Sequence, residues 1–154
     1  MRLHLMRTSG CCLASALVGA ALLAGGCGDP NAVGKTVDVK GKVAQGGAPL
    51  AGAMVTFVPD ETGGNTSKFR PMGTTDADGI YTLTTGTTTG SHKGAPAGKY
   101  KVTVAAGMPP VVKDSPPPAP IAIDPMYGDP AKTNLSVEVV DSPPTGAYDL
   151  NLKK

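Results

Sequence analysis

The residues with the most chemical potential in this sequence are three cysteines, two closely spaced aspartates and a histidine. Cys11 and Cys12 lie within an uncharged apolar run, which leaves Cys27 as the only thiol in the chain beyond it. A single sulfur has no partner for an intrachain disulfide, so its use must lie in another chemistry, such as alkylation. Asp76, Asp78 and Gly79 resemble the opening of a calcium loop. Such a loop needs a bidentate Glu at its twelfth position, and counting from Asp76 that place holds Thr87, which cannot supply one. The Asp-Gly pair therefore reads as a tight turn. His92 is the only histidine after Cys27, and no HxxE or HExxH accompanies it, so zinc chemistry is not expected. No GxSxG is present to expose a nucleophilic serine. The sequence thus predicts no catalytic, metal-ligating or cofactor-binding residues: a chain that is no enzyme and needs no cofactor.

The surroundings of Cys27 say what its sulfur is for. The chain opens MRLHLMR, and from Cys11 to Ala24 it carries no charge. As a helix that run spans about 21 Å, short of the ~30 Å hydrocarbon core of a bilayer. A basic start, a short apolar middle and small residues at the end form a secretory signal. The residues LLAGGC resemble a bacterial lipobox, with Ala24 where Leu is commonest and Leu23 one step before it. The resemblance implies cleavage before Cys27, diacylglycerol on its sulfur and acylation of the new N-terminus. Each buried methylene contributes about 0.8 kcal/mol, so several chains make a durable anchor. Residues 1–26 are thus assigned as a lipoprotein signal peptide and Cys27 as the lipidation site. Gly28 rather than Asp follows the cysteine. In Gram-negative lipoproteins an Asp there favours inner-membrane retention, so the outer membrane is the expected destination.

Residues 27–35 form a tether rich in turn formers, and the domain is placed at 36–154. The full chain has 14 Lys plus Arg against 12 Asp plus Glu, and losing Arg2 and Arg7 with the signal balances the two. A neutral product gives no electrostatic ground for a nucleic-acid partner. Twenty-one Gly and 15 Pro disfavour helix interiors. What replaces helix is period-two alternation. Val37, Val39 and Val43 share one parity; Ala53, Val55 and Phe57 another set; then Tyr81 and Leu83; then Tyr100, Val102 and Val104; then Leu135, Val137 and Val139; and last Tyr148, Leu150 and Leu152. Gly41 interrupts the first apolar face and marks a bulge or a close backbone approach. TTDADGIYTLTT reads as a hairpin and the Gly/Thr stretch to Gly94 as a loop. Eight prolines between Met108 and Pro130 predict extended polyproline along the surface. SPPPAP within it is read as a stiff loop rather than a ligand for an aromatic groove. Six or seven short strands with turns between them predict a sandwich of two antiparallel sheets.

GKVAQGGAPLAGAMVTFVP, TTDADGIYTLTT, GAPAGKYKVTV and IDPMYGDPAKTNLSVEV occur in the order found in carboxypeptidase regulatory-like domains, and the chain resembles the small planctomycete lipoproteins that carry this domain alone. The similarity runs over residues 36–152. It implies a seven-stranded antiparallel Greek-key sandwich of the transthyretin type. The closing GAYDLNL departs from the usual Asn and Phe-Asp-Phe ending, which makes the last strand the least defined. Transthyretin-like hydrolases end in Tyr-Arg-Gly-Ser, whereas this chain ends DLNLKK, so their activity is not implied. The expected function is a lipid-anchored envelope protein, its sandwich a structural, adhesion or protein-interaction module with an envelope protein as partner. The alternative is a lipoprotein that captures a carbohydrate or peptide for a partner complex. Sugar sites use flat aromatic platforms, and with no Trp only Phe69 and Tyr127 lie outside the predicted core strands.

Overall fold

The computed structural model describes residues 33–107 and 122–153. Cys27, the signal segment and SPPPAP lie outside the described residues. The fold is all-β. Its strands are β1 (Thr36–Val37), β2 (Lys40–Gln45), β3 (Ala48–Pro49), β4 (Ala53–Pro59), β5 (Met72–Thr74), β6 (Ile80–Thr82), β7 (Thr84–Thr87), β8 (Gly90–Lys93), β9 (Ala95–Pro96), β10 (Gly98–Ala106), β11 (Ser136–Val139) and β12 (Leu150–Leu152). Pro125–Gly128 adds one turn of 3-10 helix.

The larger sheet runs β11-β10-β4-β5-β7-β8. Its centre is the β4–β10 ladder, paired from Tyr100↔Pro59 to Ala106↔Ala53. Strict alternation places Ala53, Val55, Phe57, Tyr100, Val102 and Val104 inward, all fully buried. The smaller sheet is built on β2, with β12 along one edge and β3 on the other. On that second edge β6 continues β3: Val43 N donates to Gly79 O and Leu50 N to Val43 O. Val39, Val43, Tyr81, Leu150 and Leu152 face the larger sheet and join the same apolar cluster. Phe57 sits edge-on to Tyr81, ring centres 6.4 Å apart, and tilted against Tyr100 at 5.6 Å. Each large side chain buried this way contributes about 1.5–3 kcal/mol gross.

Several local features differ from the sequence reading. The DADG turn closes as expected, with Gly79 at φ +74°. Its flanking segments do not pair as a hairpin, however. β5 joins the larger sheet and β6 joins β2. The segment after the turn also divides at Leu83, whose N–H bonds Val39 O, so that β7 returns to the larger sheet. The Gly/Thr stretch is not a loop but the β7–β8 hairpin, pairing Thr84↔Lys93 through Thr87↔Gly90. β12 pairs with β2 in parallel, against the expectation of purely antiparallel sheets. Finally, Tyr127 is buried at 2% exposure, because the 3-10 turn capped by Asp124 rolls its ring inward and Lys153 N bonds its hydroxyl at 3.0 Å. It is therefore a core residue rather than an exposed aromatic.

Candidate functional site

Strand registers give the domain two distinct poles. Thr36 lies opposite Pro96 and Gly98 opposite Val139, so β1 stands where β10 begins and β11 ends. The Asp60–Pro71 connection and the crossing from β11 to β12 lie at this pole too. At the opposite pole β10 ends at Ala106, beside Ala53, and Gly107 N bonds Gly52 O. There Gln45 Nε2 donates to Ala122 O, so the chain on both sides of residues 108–121 sits at that end. Lys35 Nζ meets Asp141 Oδ1 at 2.9 Å, joining the residue before β1 to the crossing segment. Both side chains are well exposed, so the pair contributes at most about 1 kcal/mol.

The pole at which β10 begins carries a polar groove of about 400 Å³, lined by Gly63, Gly64, Asn65, Thr66, Ser67, Ala97, Gly98, Lys99 and Glu138. Asn65 organises it. Its Nδ2 donates to Lys99 O at 2.8 Å, and its Oδ1 accepts from Ser67 N at 3.0 Å. The turn before it is set by Asp60, whose carboxylate accepts from Thr62 Oγ1. That hydrogen bond is the largest influence holding the Asp60 carboxyl below its ordinary range. Tyr100 rises beneath the groove and donates to Pro96 O, and burial pushes its phenol up. Sequence reasoning missed this groove. The available signal was Asn65 two residues before Ser67, the spacing of a side chain that closes a turn on its own backbone.

The residues singled out from the sequence are not brought together. Asp76 Oδ1 accepts from Asp78 N at 3.0 Å and Ile80 N at 2.8 Å, so this carboxylate closes its own turn. His92 is exposed on β8 opposite Thr85. Lys40, Lys42 and Lys99 are exposed and Lys101 is half-buried, on strands of both sheets. Among the described residues no group of three His, Cys, Asp or Glu is placed to hold a metal ion, and no helix is long and apolar enough to cross a membrane. Among those same residues no buried side-chain nitrogen or oxygen lacks a hydrogen-bond partner. Thr75, Thr85 and Thr133 show why: their hydroxyls donate to Leu50 O, Gly94 O and Val102 O. No family model, curated protein or solved structure matches this chain.

Proposed function

We propose that the protein is a lipid-anchored component of the cell envelope, held at Cys27, whose β domain works as a non-catalytic structural or protein-interaction module. The non-catalytic part rests on the sequence, which has no HxxE, HExxH or GxSxG motif to supply a metal site or a nucleophilic serine. The anchor rests on the signal-like first 26 residues and on Cys27 as the lone remaining sulfur. The outer membrane is the proposed destination, from Gly28. We read the finer fold as a transthyretin-like Greek key, from the ordered motifs and the two facing sheets, with β2 and β12 paired in parallel.

On this reading the eight residues between Cys27 and Thr36 reach at most about 28 Å, so the Asn65 pole stays near the lipid and the opposite pole is free for partners. The decisive experiment is Cys27→Ser in the native host. The variant is expected to remain an unprocessed, unacylated precursor. Fatty-acid labelling that persists in the variant overturns the anchor.

A second reading, ligand capture, is favoured by the groove beside Asn65, whose volume falls in the range of small-molecule sites. Its lining speaks against sugars. All six Phe and Tyr residues are described, and five are buried, leaving only half-buried Phe69 near the surface.

A further inference from the structure

We infer that Met54 and Met72 form a paired oxygen-accepting site for two-electron oxidants of the peroxide and hypohalous acid class. The inference is independent of membrane attachment. It starts from the placement of sulfur. Among the described residues the buried apolar core is built from Val, Leu, Ala, Phe and Tyr and contains no methionine. Met54 and Met72 instead stand on the outer face of the larger sheet, 40% and 50% exposed. They are two of the three large apolar side chains so exposed among the described residues. The register puts them together: Met54 lies opposite Thr74 and Met72 opposite Thr56, so the two methionines are diagonal neighbours on adjacent strands. Diagonal positions on one face sit about 7–8 Å apart, within the span of two flexible thioethers.

The chemistry needs no cofactor. A lone pair on Sδ attacks one oxygen of hydrogen peroxide, an S–O bond forms and the O–O bond breaks. The sulfur loses two electrons, the peroxide is reduced, and the departing hydroxide takes up the remaining proton as water. The product is a sulfoxide, which is polar and disrupts a core when formed inside one. Here it forms in solvent. Its oxygen is a hydrogen-bond acceptor, and both methionines have threonine hydroxyls as cross-strand neighbours: Thr74 for Met54, and Thr56 and Thr84 for Met72. The sheet can therefore carry the oxidised pair without repacking. Met126, half-buried against the core in the 3-10 turn, is the internal control.

The test is graded hydrogen peroxide added to the full protein in detergent, read by peptide mass mapping and far-ultraviolet dichroism. Met54 and Met72 are expected to gain one oxygen each about fivefold or more faster than Met126, with the β signal unchanged, since susceptibility follows exposure. Equal rates at Met126, or loss of the β signal as the pair oxidises, overturn the proposal. The double variant Met54→Leu/Met72→Leu should fold as the parent does and consume two fewer equivalents of oxidant; unchanged consumption also overturns it.

Discussion

The two main sheets of this domain, apart from the short β1–β9 pair, are stabilised in different ways. In the larger one, the β4–β10 ladder runs without interruption for seven residue pairs, and its side chains simply alternate between core and solvent. In the smaller one no strand but β2 exceeds three residues, and side chains and close backbone contacts do much of the joining. Tyr81 Oη donates to Tyr148 O at 2.7 Å, and Lys42 N donates to Asp149 Oδ1 at 2.9 Å. Thr75 Oγ1 accepts from Ala53 N and donates to Leu50 O where the chain passes between the sheets. Gly41 lets the Tyr148 backbone approach so closely that a Cβ there would lie 2.1 Å from its carbonyl oxygen. Long strands need only the right faces. Short ones need specific atoms.

That contrast can be tested by mutation, and the largest effect belongs to the larger sheet. Phe57→Ala removes the ring that contacts both Tyr81 and Tyr100, and it is expected to cost about 3–5 kcal/mol in denaturant unfolding. A loss below 1 kcal/mol would mean that the two sheets do not share one core. Gly41→Ala comes next, at about 3 kcal/mol, because the methyl meets backbone rather than a movable side chain. The same substitution at Gly86, on β7 of the larger sheet, meets nothing within 4 Å and is expected to be near neutral. If the two variants unfold alike, close approach at Gly41 is not what holds the smaller sheet.

The smallest effect is the most specific. Burial, reinforced by the nearby Asp149 carboxylate, pushes the Tyr81 phenol well above its ordinary value. A group that holds its proton more tightly when folded contributes stability that is intact below its unfolded pKa, about 10, and declines above it. Thermal unfolding should therefore be insensitive to this group up to about pH 9 and fall as pH rises past about 10. Tyr100 is shifted in the same direction by burial and adds to the decline. Tyr81→Phe should cost about 1 kcal/mol at neutral pH, through the lost bond to Tyr148 O, and should lessen the alkaline decline. An identical alkaline profile in the variant would place the titration elsewhere.

The same contrast explains what could be read in advance. Ala53, Val55, Phe57, Tyr100, Val102 and Val104 announce themselves by period two, and all are fully buried. Tyr148, Leu150 and Leu152 were legible as inward-facing too, but three residues of strand carry no sign of direction, and the parallel pairing with β2 stayed hidden. The DADG turn was legible as a turn because Asp76 and Gly79 have local roles. Where its arms lead is decided by Leu83, which changes sheets through a single bond to Val39. The β7–β8 hairpin had no apolar alternation to show, since all four residues of β8 are exposed. Tyr127 was misplaced because the prolines around it suggested an extended surface path, whereas Asp124 caps a turn that buries the ring. The Asn65 groove was illegible for a further reason: its walls come from the Asp60–Pro71 connection, β10 and β11, and only the ladder brings these together.

The partnership of β2 with β12 also bears on the order of assembly. Lys42 N donates to a carboxylate 107 positions further along, so this flank of β2 stays open until Asp149 has been made. Contacts between such distant residues slow folding, because a long loop must close before any of them is gained. Under the envelope role proposed above, such late completion would keep the chain threadable during export.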